Sequence, residues 1–281
     1  MSILSRPLPF LRSLRGWGLA LLLALSPAHA EDLKPLAREA MVLSGTQAAL
    51  EGMGKMFEKQ AADDPRIAKL SKSEQAKLLT IMKSVMDGRR MADDLTTALA
   101  GTHDRDRLTA AVTTMRDPQF RKTTQALVAE MLVATDQKVI AYTKTFEKTP
   151  PDPARVKLVQ QLDAATDGSR ILADIRYESV EAMMGPKASA EDRTKLTEMR
   201  KRIETEAQNE FLARNLFAVR KLDNATLGAY VKAHENEPMG WLARQMGYGI
   251  QRAVVKAVGE LGQKMAAIAP AKANANANAK K

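Results

Sequence analysis

The sequence contains no cysteine, and histidine and aromatic residues are scarce. The absence of cysteine excludes disulfides, thiol nucleophiles and thiolate ligands, so the packing of apolar side chains must supply the stability of the fold. After residue 30 the only histidines are His103 and His234, and neither has a second histidine at metal-ligand spacing. We therefore expect no bound metal and no cofactor.

The common catalytic motifs are also missing. The chain has no Gly-x-Ser-x-Gly nucleophile turn and no glycine-rich phosphate loop. His234-Glu235 is not followed by the second histidine of a zinc-protease helix. Paired acids such as Glu178 and Glu181 could serve acid–base catalysis, but on a charged helix they are more typical of a solvated surface. No catalytic residue is predicted, and the pattern favours a non-enzymatic protein without deciding the matter.

The first thirty residues have the three-part layout of a secretory signal peptide. Arg6, Arg12 and Arg15 form a basic start, residues 19–25 (LALLLAL) form an apolar run, and residues 28–30 (AHA) place small side chains two apart. The apolar run is shorter than the roughly 20 residues of a transmembrane helix. We expect cleavage after Ala30, a periplasmic location, and no transmembrane segment in the cleaved chain.

The formal net charge of +10 is not concentrated on one segment. Three of the positive charges lie in the predicted signal peptide, and the body from 31 to 268 carries a net charge of +4. The densest basic cluster, residues 200–202 (RKR), is surrounded by Glu198, Glu204 and Glu206. A nucleic-acid-binding protein would concentrate basic side chains on one face with aromatic residues between them. Nucleic acid is therefore not an expected partner.

The spacing of apolar residues predicts an all-α fold. Apolar side chains recur at three and four residues, and no stretch alternates as a strand would. Ser71 with Glu74, and Ser189 with Asp192, have the spacing of helix-capping boxes. Glycine and proline interrupt the apolar pattern at positions 44–45, 63–65, 101–102, 117–118, 149–153, 185–186 and 237–238.

Two halves of the chain show a weak internal repeat. The apolar stripe at Leu36, Ala40, Leu43, Leu50, Met53 and Phe57 recurs at an offset of 122, as Leu158, Leu162, Ala165, Leu172, Ile175 and Ser179. We therefore predict two tandem related units, each a helical hairpin followed by a long closing helix. The predicted divisions are a signal peptide at 1–30, unit 1 at 31–148, a proline-rich linker at 149–153, unit 2 at 154–268 and a disordered Ala/Asn/Lys tail at 269–281.

Each half also ends with the same local pattern. Leu108 and Val112 precede Asp117-Pro118, as Leu227 and Val231 precede Glu237-Pro238. Proline is favoured in the first helical turn, so each acidic-proline step is expected to open a closing helix of about thirty residues. The glycines between 240 and 262 are expected to allow close helix–helix approach, at some cost in helix stability.

The segment 227–241 (LGAYVKAHENEPMGW) resembles the signature of small exported bacterial proteins that are classed only as a domain of unknown function. That signature is a short helix, an acidic-Pro-x-Gly step and a long final helix. The first half departs from it, because Phe120 stands where Gly240 stands in the second half. The resemblance implies an all-helical envelope protein and brings no activity with it.

Trp241 is the best candidate for the centre of a binding groove. Tyr230, His234 and Tyr248 lie at spacings that could bring them close to it. A core anchor between the short and the long helix is the alternative interpretation of Trp241. We expect a non-enzymatic envelope module that binds a protein, a peptide or a lipid through its helix faces. An envelope hydrolase that uses clustered carboxylates and a purely structural envelope protein remain alternatives, and the oligomeric state stays open.

Overall fold

A computed structural model describes residues 28–268 apart from positions 64, 103 and 186–187, and in that part it contains helices and no strand. The all-α prediction is therefore confirmed. The first half comprises α1 (Ala28–Leu43), α2 (Thr46–Asp63), α3 (Pro65–Ala68), α4 (Lys72–Val85), α5 (Gly88–Ala100), α6 (Arg105–Arg116), α7 (Pro118–Leu132) and α8 (Asp136–Lys144), followed by a 3₁₀ turn (Thr145–Glu147). The second half comprises α9 (Pro153–Thr166), α10 (Gly168–Met184), α11 (Ala190–Val219), α12 (Asn224–Glu235) and α13 (Glu237–Ile268).

Most of the predicted signal peptide and the whole predicted tail lie outside the described residues. The predicted cleavage bond after Ala30 falls in the first turn of α1, because that helix begins at Ala28. No helix within the described residues has the length and apolarity needed to span a bilayer.

Polar side chains at the helix starts fix where the helices begin. Ser71 with Glu74, and Ser189 with Asp192, form complete capping boxes, as predicted from their spacing. Asp104 and Asp223 accept hydrogen bonds from the first turns of α6 and α12. Each cap satisfies backbone N–H groups that have no partner within their own helix, and such a cap contributes about 1 kcal/mol.

The principal core lies in the first half but includes part of the last helix. Leu99 of α5 and Leu108 of α6 are buried in the same cluster as Met239, Leu242 and Met246 of α13. A second core lies between α9, α11 and α12 of the other half. Its buried residues are Val159, Leu162, Leu216, Val219, Leu227 and Val231. The two cores therefore do not correspond to two separate stretches of sequence, because α13 packs against helices of both halves.

Helices of each half pack against helices of the other half. α13 packs against α4, α5 and α6 of the first half as well as α9, α10 and α12 of its own half, while α7 and α8 pack against α11. Two glycines permit the close approach of α13 to both sides, as expected from the sequence. A Cβ at Gly247 would lie 2.4 Å from Ile171 Cδ1 of α10, and one at Gly249 would lie 2.1 Å from Leu95 Cδ1 of α5.

The prediction of two closing helices of about thirty residues is right for the second half and wrong for the first. α13 has 32 residues, whereas α7 has 15. α7 ends because Thr135 caps α8, its hydroxyl accepting from the N–H of Lys138. Arg214 of α11 stabilises the break by donating to the carbonyl of Ala134 at 3.0 Å and to the carboxylate of Asp136. The boundaries at 149–153 and the duplication itself stay predictions.

Candidate functional site

Two of the four predicted groove residues lie together on α12. Tyr230 and His234 are one helical turn apart, with ring centroids separated by 4.5 Å. Both rings also contact Phe120 of α7, whose centroid is 5.0 Å from Tyr230 and 5.6 Å from His234. Phe120, which stands where the predicted repeat has Gly240, supplies a ring that joins α7 to α12.

Burial controls the protonation of this cluster. His234 is 8% exposed, and burial lowers its pKa below 6.5 despite the opposing effect of the Tyr230 carbonyl, which lies 3.0 Å from Nδ1. Burial likewise raises the pKa of Tyr230 to about 12. At neutral pH both side chains are therefore uncharged, and His234 Nδ1–H is the group that donates to that carbonyl. The cluster is an aromatic contact between helices rather than an acid–base pair.

Trp241 and Tyr248 make different contacts. Trp241 is half-buried against the principal core, and the guanidinium of Arg107 lies 5.9 Å from its ring centroid. Tyr248 reaches the junction of α9 and α10, where its hydroxyl donates to Asp167 Oδ2 at 3.0 Å. Neither side chain lines the two clefts beside the aromatic cluster. The contacts of Trp241 fit the core-anchor interpretation, and the four-residue groove stays a prediction.

Two clefts flank α12 beside the aromatic cluster. One, of about 240 Å³, is lined by Phe120 and Tyr230. The other, of about 400 Å³, is lined by His234, Glu235, Asn236, Glu237, Gly240 and Arg244 on one side and by Gln161, Ala164 and Ala165 of α9 on the other.

The acids of the larger cleft already have partners. Glu235 accepts from Gln161 Nε2 at 3.3 Å, and Glu237 forms an ion pair with Arg107 Nη2 at 3.0 Å. Glu235 is the last residue of α12 and Glu237 the first residue of α13, so both carboxylates of this cleft come from the junction of two consecutive helices. Each of these two carboxylates is held by a neighbouring donor rather than by His234.

A third cleft is polar and lies between α10 and α11. It has a volume of about 470 Å³ and includes Asp174, Arg170, Arg200 and Glu204. The pKa of Asp174 is raised by burial and by the nearby charge of Glu178. Arg200 lies 3.6 Å from Asp174 and 3.3 Å from Glu204. This is a place where carboxylates from two helices meet around one cation.

An apolar groove runs between the α1–α2 turn and α7. Its volume is about 320 Å³, and its lining is Val42, Leu43, Gly45, Ala48, Arg121, Thr124, Gln125, Val128, Ala129 and Leu132. Gly45 has a φ of +72°, and a Cβ there would lie 2.4 Å from Val128 Cγ2. The left-handed backbone of this glycine lets the turn approach α7 closely and forms one wall of the groove.

Apolar side chains at this groove are open to solvent. Val42 is 59% exposed and Leu132 is 53% exposed. Met131 and Val133, on either side of Leu132 in the sequence, are also exposed. Clustered exposed apolar residues are more informative than scattered ones, because they are typical of interaction surfaces. The groove was not predicted from the sequence.

The charge and hydroxyl groups of the groove are few. Arg121 is its one charged lining residue, and no acid contributes to it. Thr124 is buried at 4% exposure, and its hydroxyl lies beside the phenol of Tyr230 without a well-directed hydrogen bond of its own. Thr124 therefore connects the floor of the groove to the aromatic cluster.

Neither a metal site nor a known relative defines the site. Within the described residues, no group of three or more histidine and acidic side chains is placed to hold a metal ion. No family model, curated protein or solved structure matches the chain. The resemblance of residues 227–241 to exported helical proteins therefore stays a prediction, and the candidate site rests on geometry alone.

Proposed function

We propose that the protein is an exported, periplasmic, non-enzymatic binding module of the cell envelope, and that the apolar groove is its binding surface. The observation that carries this proposal is the open aliphatic surface of the groove, where Val42 and Leu132 are more than half exposed. Burying such side chains against a ligand would gain about 25 cal/mol for each Å² removed from water. The layout of residues 1–30 supports the proposed location.

The groove is better suited to binding than to catalysis. It contains no acid and no histidine, so it offers no general base within reach of a bound molecule. The groove is distinct from the predicted site around Trp241, and the experiment below compares the two sites. A purely structural envelope protein would have no need for an open apolar groove.

The test uses a neutral apolar fluorophore, N-phenyl-1-naphthylamine, with the purified protein. We expect its emission to rise and saturate at one probe per chain. Ala129→Phe would fill the groove and weaken binding roughly tenfold or more, a loss of at least about 1.4 kcal/mol. Ala126→Phe is the matched control, because Ala126 is also exposed on α7 but does not line the groove.

The variants separate the two candidate surfaces. Trp241→Ala should leave probe binding unchanged if the groove between α1, α2 and α7 is the site. Loss of binding in Trp241→Ala, with normal binding in Ala129→Phe, would assign the function to the predicted aromatic groove instead. No saturable binding by the unaltered protein would refute the proposal.

A hydrolase is the second candidate function, and the polar cleft between α10 and α11 is the observation that favours it. A carboxyl whose pKa is raised can hold a proton near neutral pH and act as a general acid. Burial raises the pKa of Asp174, which lies in this cleft beside Glu204. If the protein hydrolyses cell-wall glycans or lipid esters, Asp174→Asn should abolish turnover and leave binding of the fluorophore unchanged.

A further inference from the structure

We propose that the apolar groove binds a single-chain acyl amphiphile with an anionic head group, the acyl chain lying along α7 and the head group beside Arg121. This inference rests on the proposed function, since it names the ligand of the same groove. The argument depends on the dimensions of the groove, on its aliphatic lining and on the position of its single charge.

The dimensions of the groove fit a thin apolar chain. Its lining extends along α7 from Arg121 to Leu132, about 16 Å at the helical rise of 1.5 Å per residue. The volume of about 320 Å³ lies near the lower end of the range for small-molecule pockets. A peptide helix of equal length and about 10 Å diameter would occupy on the order of 1,200 Å³, so most of it would remain outside the groove.

The lining chemistry also fits an acyl chain. Leu43, Ala48, Val128, Ala129 and Leu132 present aliphatic carbon, and none of the lining residues is aromatic. A bound peptide strand would require free backbone hydrogen-bonding groups at an open edge, whereas every wall of this groove is formed by helices or by the α1–α2 turn. An acyl chain requires only apolar contact.

The charge of the groove is located at one end. Arg121 belongs to the N-terminal part of α7, and Gln125 follows it by one helical turn on the same face. Arg121 is exposed, and its side chain has no ion pair or hydrogen bond among the described residues. A guanidinium binds carboxylate and phosphate oxygens through a fork of N–H donors. The far end, at Val128 and Leu132, has no charge.

The groove therefore has the polarity of an amphiphile: a cationic end with a neighbouring amide, followed by an aliphatic floor. The absence of any acid from the lining removes the repulsion that an anionic head group would otherwise meet. A neutral ligand of the same length would gain the apolar contact but not the interaction with Arg121.

The experiment is displacement of N-phenyl-1-naphthylamine by octanoate, dodecanoate, hexadecanoate and neutral dodecanol. All are used below their micellar concentrations. Each methylene buried contributes about 0.8 kcal/mol, which corresponds to roughly fourfold tighter binding. Dodecanoate should therefore displace the probe on the order of 100-fold better than octanoate. The gain per methylene should fall for hexadecanoate, because its chain exceeds the groove.

Two pairs of variants locate the ligand. Arg121→Gln should weaken dodecanoate binding by about tenfold and leave dodecanol binding unchanged, since a charge-assisted pair contributes about 1.4 kcal/mol or more. Lys122→Gln is the matched control, because Lys122 is a neighbouring exposed cation that does not line the groove. Ala129→Phe should abolish displacement by every chain, whereas Ala126→Phe should not.

The outcomes distinguish failure of this inference from failure of the proposed function. If the fluorophore binds in an Ala129-dependent manner but no fatty acid displaces it, the acyl ligand is wrong and the binding groove stands. Equal affinity for dodecanoate and dodecanol would overturn the role of Arg121. Binding to anionic phosphatidylglycerol vesicles that Ala129→Phe leaves intact would indicate surface adsorption and overturn the inference. Failure of the fluorophore itself to bind would remove both proposals.

Discussion

Replacing Leu242 with alanine tests whether α13 joins the two halves into one cooperative unit. Leu242 is 0% exposed and lies in the first-half core, although it belongs to the last helix of the second half. The substitution removes three carbon atoms from a site where α13 contacts helices of the other half. If α13 couples the two halves, the substitution should lower the stability of the second half as well as the first.

The magnitude follows from burial. Leucine-to-alanine changes at fully buried positions cost about 3–5 kcal/mol, because the lost transfer free energy adds to the cost of the remaining cavity. For a protein of this length, each kcal/mol lowers Tm by about 2–4 °C. We therefore expect Leu242→Ala to lower Tm by at least about 6 °C. Leu132→Ala is the matched control, since Leu132 is 53% exposed and its loss should change stability by less than about 0.5 kcal/mol.

Differential scanning calorimetry and far-ultraviolet circular dichroism provide the measurement. We expect one transition with the same midpoint by both methods, and a downward shift of that whole transition in Leu242→Ala. Val159→Ala, in the second-half core, should lower the same transition. Two resolved transitions, of which Leu242→Ala moves only one, would refute the reasoning and show that the halves unfold independently.

Four further predictions concern single positions. Gly240→Ala should destabilise the protein by about 1–3 kcal/mol in urea unfolding, because the new Cβ would lie 2.7 Å from the carbonyl oxygen of His234. Gly259→Ala, whose Cβ would meet no atom closer than 3.6 Å, should instead stabilise it by about 0.5–1 kcal/mol. Arg155→Met should cost about 2–4 kcal/mol in the same assay, because the guanidinium donates to Val219 O at 3.1 Å, to Leu222 O at 2.6 Å and to Asn224 Oδ1 at 3.1 Å, across the turn from α11 to α12. Burial lowers the pKa of His234, so the contribution of the neutral side chain to stability is present above about pH 6.5 and is lost as the pH falls below that value. The free energy of unfolding between pH 7.5 and 5 should therefore depend less on pH in His234→Gln than in the unaltered protein. An equal dependence would contradict this prediction.

Local features were predictable wherever short-range chemistry decides them. The capping boxes at Ser71 and Ser189 form as their spacing indicated, because a hydroxyl three residues before a carboxylate satisfies two backbone donors without help from the rest of the fold. The start of α13 at Glu237-Pro238 is predictable for the same reason. The premature end of α7 was not predicted, although Thr135 caps α8 locally, since the break is also held by Arg214, which is 80 residues away from Ala134 in sequence.

The candidate site was predicted only in part. Tyr230 and His234 meet because they are one turn apart on a single helix, which periodicity alone implies. Tyr248 shares the face of α13 with Trp241 by spacing, yet its hydroxyl bonds to Asp167, and no sequence pattern specified that pairing. The apolar groove combines Val42 with Leu132, which are brought together only by the packing of α7 beside the α1–α2 turn.

The sequence by itself determined the helical class, several of the helix breaks, the two capping boxes at Ser71 and Ser189, and the dependence of the fold on apolar packing in the absence of cysteine. These properties follow from the 3.6-residue period and from contacts within a few residues along the chain. Only the tertiary structure decided that α13 packs against both halves, that α7 stops after Leu132, and that Arg121 stands at one end of an open aliphatic groove. Such features depend on contacts between residues distant in sequence, where one apolar stripe can pack against several others and only the assembled chain selects among them.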